Sequence, residues 1–135
     1  MELEEELRKP INEWITGLGL RPVNEYRICW RIPDVIGLGE KRIEVAVEMK
    51  LADWKRALWQ AKMYTMFAIR SYVAMPSSRQ GLMLRNIREF RRKGVGALSV
   101  REDGTVRKLI ESDVHQGAFS HAIPSHSSEE SMNGL

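Results

Sequence analysis

The sequence predicts an α/β fold in which a mixed central β-sheet is flanked by helices. The run from Ile43 to Lys50 alternates strictly between apolar and other residues, which is typical of a half-buried strand. Residues 53–69 then place apolar side chains at i, i+3, i+4 and i+7, which is typical of an amphipathic helix. A further apolar strand follows at Tyr72–Met75. This alternation of strand, helix and strand favours a sheet with helices on both faces.

An amphipathic helix is predicted at the N-terminus. Its apolar stripe consists of Leu3, Leu7, Ile11, Trp14 and Leu18. Pro10 fits the first turn of a helix but kinks a longer one, so the helix either begins near Pro10 or bends there. Gly17 and Gly19 are expected to end it.

The segment from Asn24 to Ile32 is predicted to be the first strand, with its alternate apolar residues on one face. Those residues are Tyr26, Ile28, Trp30 and Ile32. Gly37 and Gly39 are interpreted as the turn of a hairpin that leads into the Ile43 strand. The sheet-forming half of the chain therefore reads α-β-β-β-α-β.

The C-terminal half adds a helix and a hairpin. The helix is predicted at residues 79–93 and ends at Gly94, and the hairpin joins Gly96–Val100 to residues 105–110. Beyond it, periodicity vanishes and serine, histidine and glycine become frequent. We expect one folded domain at residues 1–111 and a disordered tail at 112–135 that is dispensable for folding.

Composition and charge narrow the class of protein. Of the 135 residues, segment 1–111 holds all 21 Lys and Arg and 15 of the 18 acids, which gives a net charge of +6, whereas segment 112–135 carries −3. A basic body favours an anionic polymer as partner. Apolar runs are too short to span a membrane and the N-terminus is acidic, so we expect a cytoplasmic protein without membrane association. The single cysteine, Cys29, excludes an intrachain disulfide and is interpreted as an ordinary strand residue.

Three charged residues are expected to converge at the end of the hairpin. Folding back on its turn brings Asp34 close to Glu48, and Lys50 shares a strand face with Glu48. Two carboxylates and an ammonium group suit a hard divalent cation and a polarised water molecule. The same residues are equally explained as a surface Glu48–Lys50 ion pair and an ordinary turn residue after Pro33.

A family resemblance favours the first interpretation. The ordered set Pro33-Asp34, Glu48-Met49-Lys50 and Gln60-Ala61-Lys62-Met63-Tyr64, followed by another strand, resembles the PD-(D/E)XK nuclease superfamily in its branch with a Gln-xxx-Tyr motif. RecB-type nuclease domains belong to this branch, and archaeal Holliday-junction resolvases are more distant. The likeness covers roughly residues 24–76. A second match, Asp53-Trp54-Lys55, lies where a helix should begin, so Asp53 is interpreted as its N-cap.

The resemblance implies a restriction-endonuclease-like core (αβββαβ) and a metal-dependent enzyme that hydrolyses DNA phosphodiester bonds. By resemblance, Mg²⁺ or Mn²⁺ would be held by Asp34, Glu48 and the backbone carbonyl of Met49, and Lys50 would be the catalytic lysine. The other residues assigned to the site by resemblance are Gln60 and Tyr64, with Glu25 as a further metal ligand and Glu6 as its competitor. Each of these also has an ordinary structural explanation as a surface or half-buried side chain.

DNA is the expected partner, and a homodimer is plausible for so small a chain. Candidate phosphate-binding residues are Lys55, Arg56, Lys62, Arg85, Arg88 and Arg92. A solvated helix face explains the three arginines equally well. Trp54 and Trp59 could stack on bases, although Trp54 fits the apolar stripe of its helix. Two other functions stay open: a non-catalytic nucleic-acid-binding or assembly protein with a nuclease fold, and a Holliday-junction resolvase.

Overall fold

The structure is a computed structural model that describes residues 1–116, and within them six strands form one open mixed sheet. The strands are β1 (Arg21–Asn24), β2 (Val35–Leu38), β3 (Ile43–Met49), β4 (Ala68–Pro76), β5 (Gly96–Val100) and β6 (Val106–Ile110). They lie in chain order across the sheet. Strands β3, β4 and β5 run parallel, and the remaining neighbours pair antiparallel. The predicted mixed α/β sheet is confirmed.

Helices cover both faces of this sheet. They are α1 (Arg8–Gly17), α2 (Trp54–Tyr64), α3 (Gln80–Arg85) and α4 (Ile87–Lys93), with 3₁₀ turns at Glu4–Leu7 and Ser77–Arg79. One face packs against α1 through Ile11 and Ile15. The other packs against α2 and α4, through residues such as Leu58 and Phe90. Because both faces are covered, even a charged residue of a central strand, Glu48, is buried.

The N-terminal helix begins near Pro10, as one of the two alternatives predicted. Pro10 lies in the first turn of α1, where its missing N–H costs no helical hydrogen bond. The two end residues of the predicted apolar stripe are not buried, since Leu3 and Leu18 are 63% and 50% exposed. Ile15, which was not predicted to belong to the stripe, is fully buried. The preceding residues tighten into a 3₁₀ turn instead of extending α1.

The predicted strand from Asn24 to Ile32 is wrong. Strand β1 ends at Asn24, and the chain leaves the sheet because Glu25 and Cys29 have positive φ angles of 53° and 57°. Such angles are incompatible with an extended strand. Ile28 is buried whereas Trp30 is 89% exposed, so the alternate residues do not share a face. Cys29 is therefore a turn residue.

The β2–β3 hairpin is confirmed, but its turn lies later than predicted. The Gly39 N–H donates to the Arg42 carbonyl at 3.0 Å, which closes the turn. Gly37 lies inside β2, where an added Cβ would stand 3.0 Å from Ile15 Cγ2. Glycine at this position lets α1 pack closely against the sheet.

Strand β3 follows the predicted alternation with one exception and is buried on both faces. Val45, Val47 and Met49 pack on the α1 side, as predicted. Ile43 packs on the opposite side, because the register with β2 shifts between Gly37 and Leu38. The face expected to be polar lies under α2, so Glu48 is only 5% exposed. This burial is the main cause of the raised pKa of Glu48.

A single helix over residues 79–93 is also wrong. The chain breaks at Asn86, which has φ −108° and ψ 23° and whose side-chain Nδ2 donates to the Leu82 carbonyl at 2.8 Å. A side chain that bonds a preceding carbonyl competes with the helical ladder. Gly94, with φ 70°, ends α4 as predicted, and the hairpin around Asp103-Gly104 is present.

The described part of the predicted tail contacts the folded body. Ser112 is 3% exposed, and its hydroxyl accepts a hydrogen bond from the Ser71 N–H at 3.0 Å. The His115 N–H donates to the Ile69 carbonyl at 2.7 Å. The remainder of the predicted disordered tail, residues 117–135, lies outside the described residues. Across residues 1–116, no helix has the length and apolar character needed to cross a membrane.

Candidate active site

Asp34 and Glu48 come together at one end of the β2–β3 hairpin. The antiparallel register pairs Val35 with Val47, so the residue before β2 lies beside the residue after Val47. The Met49 N–H donates to Asp34 Oδ2 at 2.7 Å, which fixes the carboxylate against β3. These two carboxylates, called the carboxylate pair below, converge as the hairpin pattern predicts.

Glu48 is buried beneath α2 and held by a tyrosine. The Tyr64 hydroxyl donates to Glu48 Oε1 at 2.5 Å. Burial, followed by the negative charge of Asp34, raises the pKa of Glu48 to about 7, against the opposing effects of the Tyr64 hydrogen bond and the Lys50 charge. Near neutral pH this carboxyl group is therefore poised between its two protonation states.

Asp34 is only half-buried, but its pKa is raised like that of Glu48. Burial raises its pKa, while the hydrogen bond from the Met49 N–H and the positive charges of Arg8 and Lys50 oppose the rise. Two acidic groups in one poorly solvated place disfavour each other's ionised forms. A positive charge between them would relieve that cost.

Lys50 follows β3 directly and is half-buried. Its backbone N–H donates to the Ala74 carbonyl at 3.0 Å, which extends the parallel β3–β4 ladder by one bond and fixes the lysine backbone. Its charge lowers the pKa of both Asp34 and Glu48. The structure therefore brings the predicted lysine and the carboxylate pair together.

Helix α2 carries Gln60 and Tyr64 one turn apart. The helix begins after Asp53, whose Oδ1 accepts from the Arg56 N–H at 3.2 Å, so the predicted N-cap is confirmed. Tyr64 contacts Glu48 directly. Among the described residues, Gln60 Oε1 is a buried oxygen that accepts no hydrogen bond. An acceptor in this state suits a bound water molecule.

Arg8 is a residue of this site that the sequence did not reveal. Its Nη1 donates to the Asp34 carbonyl at 2.8 Å and to Asn24 Oδ1 at 3.0 Å, and its Nη2 donates to Glu25 Oε2 at 3.0 Å. Arg8 thus ties α1 to both ends of the loop between β1 and β2. Glu25, the further predicted ligand, is therefore ion-paired with Arg8, and the Glu25 side chain is 65% exposed.

The acid that acts on the carboxylate pair from the N-terminal segment is Glu4, not Glu6. The charge of Glu4 raises the pKa of both Asp34 and Glu48. Glu6 instead accepts hydrogen bonds from the backbone N–H groups of Glu2 and Leu3, at 2.7 and 3.0 Å. Three consecutive glutamates point in different directions on a 3₁₀ turn. The sequence of the run Glu4–Glu6 therefore did not show which glutamate acts on Asp34 and Glu48.

The predicted phosphate-binding residues are divided between two regions. Lys55 and Arg56 are exposed on the first turn of α2, and Lys62 is half-buried near its end. The predicted basic face of Arg85, Arg88 and Arg92 is interrupted, because Asn86 separates α3 from α4. Their side chains are exposed, and Arg92 Nη2 is bonded to Glu89 at 2.7 Å.

The site offers a small donor set for a metal ion. Within residues 1–116, no group of three or more His, Cys, Asp and Glu side chains is arranged to hold one. The carboxylate pair supplies hard oxygen donors, which Mg²⁺ and Mn²⁺ prefer, and the orphaned Gln60 oxygen lies one helical turn from Tyr64, the residue bonded to Glu48. Mg²⁺ commonly takes only one or two protein carboxylates and completes its shell with water and substrate. The residues present therefore fit such an ion.

Comparisons with protein-family models, with curated proteins and with solved structures find no significant match for this chain. The resemblance to PD-(D/E)XK nucleases therefore stays a prediction drawn from the residues and their spacing.

Proposed function

We propose that this protein is a metal-dependent deoxyribonuclease that hydrolyses DNA phosphodiester bonds. The observation that carries the proposal is the carboxylate pair, in which Asp34 is fixed by the Met49 N–H and buried Glu48 by Tyr64, with Lys50 beside both. Buried acids that repel each other destabilise a fold, and such groups are concentrated at functional sites. The raised pKa values of Asp34 and Glu48, at the end of a hairpin and near basic residues, favour a catalytic role for this pair.

The order of the elements supports the proposal. After α1, strands β1, β2 and β3 are antiparallel neighbours, and α2 carries the chain over the sheet to β4, which is parallel to β3. This is the αβββαβ order expected from the resemblance to PD-(D/E)XK nucleases. Along it, Asp34 lies before β2, Glu48 on β3 and Tyr64 on α2.

Asp34, Glu48 and the Met49 carbonyl would hold Mg²⁺ or Mn²⁺. The bound ion would supply a water molecule of lowered pKa and neutralise charge on the phosphate. Tyr64 keeps Glu48 Oε1 in place, and Gln60 presents its unpartnered oxygen to a water molecule. Lys50 orients or deprotonates the attacking water, or stabilises the negative charge that develops on the phosphate.

DNA cleavage by the purified chain tests this function. Linear duplex, single-stranded and four-way junction DNA are incubated with Mg²⁺ or Mn²⁺, and we expect cleavage that stops when the metal is chelated. Lys50→Ala should lose at least about 100-fold in rate, in keeping with the usual contribution of a proton-transfer group. Lys41→Ala is the matched control, because Lys41 is an exposed lysine in the turn at the opposite end of the hairpin. Equal activity of wild type and Lys50→Ala would contradict the assignment of Lys50 as the catalytic lysine.

The small donor set keeps a binding protein as the second candidate. Because no third His, Cys, Asp or Glu side chain completes a metal-binding group within residues 1–116, the same fold could bind nucleic acid without hydrolysing it. DNA binding that persists without any Mn²⁺ uptake would favour this candidate. The substrate panel separates a third possibility, since cleavage confined to the four-way junction by a symmetric homodimer would indicate a Holliday-junction resolvase.

A further inference from the structure

Trp30 is presented to solvent by a strained turn. The Ile28 N–H donates to the Arg31 carbonyl at 2.8 Å and the Arg31 N–H donates back to Ile28 at 2.9 Å, so Cys29 and Trp30 form a two-residue turn. Cys29 adopts φ 57°, a conformation normally taken by glycine or asparagine at such a turn. Ile28 is buried, which anchors the turn, whereas the Trp30 side chain is 89% exposed.

A second exposed tryptophan lies beside this turn. The Arg31 guanidinium stands 5.0 Å from the centre of the Trp59 ring, a cation–π geometry, and Trp59 on α2 remains 50% exposed. Trp59 directly precedes Gln60 on α2 and contacts Arg31, which follows Trp30 in the chain. The turn and the Trp59 ring therefore lie beside the proposed active site.

A groove continues from Trp59 along the same surface. It lies between α2 and α4, has a volume of about 500 Å³, and is lined by Trp54, Lys55, Leu58, Trp59, Asn86, Glu89 and Lys93. The Lys55 ammonium stands 5.9 Å from the Trp54 ring, and that ring stacks on Phe90 inside the core. The one acid of the groove, Glu89, is already paired with Arg92. The groove is therefore cationic and aromatic.

We infer that Trp30, Arg31, Trp59 and this groove form a track that binds an unpaired strand of DNA and leads it to the carboxylate pair. Stacking on a base needs a free ring face and an unstacked base, which a duplex does not offer along its length. The cations beside the rings suit the phosphates between successive bases. The inference rests on the proposed function, which it deepens by naming single-stranded DNA, or the single-stranded part of a branched DNA, as the substrate class.

Binding measured without metal tests the track separately from catalysis. Fluorescence anisotropy of labelled oligonucleotides, in EDTA, compares a single strand with a duplex of equal length and with single-stranded RNA. We expect the single DNA strand to bind most tightly. Trp59→Leu should weaken its binding by about 5- to 150-fold, the usual range for one stacked base, and Trp59→Phe should retain most of it. Leu18→Ala is the control, because Leu18 is a large exposed apolar residue at the end of α1.

Trp30→Ala is the second variant, and its high exposure removes the risk that the protein fails to fold. It should also weaken single-strand binding and leave the melting temperature unchanged. Equal affinity for single strand and duplex, equal affinity of Trp59→Leu and wild type, or tighter binding of RNA than of DNA would each overturn the inference. Trp59-dependent binding in a chain that cleaves nothing would uphold the track and refute the nuclease, whereas metal-dependent cleavage without Trp59 dependence would do the reverse.

Discussion

Two tyrosine–glutamate hydrogen bonds lie on opposite faces of the sheet, and their surroundings differ. Under α2, Tyr64 donates to Glu48, which is 5% exposed and has its pKa raised by burial to about 7. On the α1 side, Tyr72 donates to Glu111, whose side chain is 50% exposed. Burial pushes the pKa of Glu111 upward, but the bonds from Lys108 and Tyr72 outweigh it and lower the pKa.

The same type of hydrogen bond therefore occurs in two different electrostatic surroundings. Glu111 has a cation bonded to it at 2.6 Å, so its charge is compensated within the protein. Glu48 has an acid beside it instead, and Lys50 offsets only part of the cost. A cation bound by Asp34 and Glu48, as the proposed function requires, would compensate this charge.

The largest expected difference between the two glutamates is in catalysis. Glu48→Gln removes a charge from the carboxylate pair, so metal-dependent DNA cleavage should fall by at least about 100-fold, comparable to the loss of a proton-transfer group. Glu111→Gln alters the matching bond on the other face and should leave the rate unchanged. Cleavage rates at saturating metal measure both. If both variants cleave like wild type, the carboxylate pair has no role in catalysis.

The two glutamates should also give opposite dependences of stability on pH. Glu48 has a folded pKa of about 7 against about 4.5 when unfolded, so the folded chain holds the extra proton between these values. The free energy of unfolding therefore falls as the pH rises through this window and is level above it. Glu48→Gln stays neutral, so above pH 7 it should exceed wild type by on the order of 2 kcal/mol.

Glu111→Gln should show the reverse. The folded pKa of Glu111 is lowered, so its stabilisation is present above its unfolded pKa and is lost as the pH falls through its folded pKa. This variant should be slightly less stable than wild type at neutral pH and equal to it in acid. Thermal unfolding of the three proteins from pH 2 to 8 measures both trends. A gain in stability by Glu111→Gln at neutral pH would contradict the contrast.

Two arginines, one bonded beside Asp34 and one beside Glu111, sharpen the comparison further. The Arg8 side chain is 15% exposed and holds the Asp34 carbonyl, whereas the Arg70 side chain is 40% exposed and lies 4.0 Å from Glu111. Arg8→Gln should lose about 1–3 kcal/mol, the usual contribution of charged hydrogen bonds, and weaken metal binding by displacing Asp34. Arg70→Gln should cost about 0–1 kcal/mol, as exposed ion pairs do. Urea unfolding measures the free energy of unfolding of both variants. Equal losses in the two variants would contradict a particular contribution of Arg8 to the position of Asp34.

The smallest effect is expected from the tail. Deleting residues 117–135 should leave the melting temperature unchanged. Deleting residues 112–135 also removes the Ser112 and His115 contacts with β4, so the melting temperature should fall by a few degrees, as a loss of about 1 kcal/mol gives in a chain of this size. A large fall with the shorter deletion would show that the missing residues pack on the body.

Local patterns in the sequence predicted much of the site. The alternation through β3 and the hairpin before it were enough to bring Asp34 to Glu48, because register across a hairpin follows from the turn and the period of two. The spacing of Gln60 and Tyr64 put both on one face of α2. The burial of Glu48 was not predicted, since its face becomes covered only when α2 crosses the sheet.

The remaining features depend on contacts between distant residues or on single backbone angles. Arg8 reaches Asp34 across 26 positions of sequence, and no local pattern encodes that contact. The left-handed angles of Glu25 and Cys29 turned an apparently alternating strand into a loop, since pattern alone does not report φ. Asn86 broke a helix whose apolar spacing continued through it, because its side chain bonds the Leu82 carbonyl.

Calorimetric titration with Mn²⁺ at pH 8 tests the carboxylate pair most directly, with wild type, Glu48→Gln and Glu111→Gln compared. Wild type should bind one ion per chain, Glu48→Gln should bind far more weakly, and Glu111→Gln should match wild type. Binding to wild type should weaken below pH 7, because Glu48 must lose its proton to coordinate the ion. Absence of Mn²⁺ binding by wild type, or equal binding by Glu48→Gln, would contradict a metal site at Asp34 and Glu48.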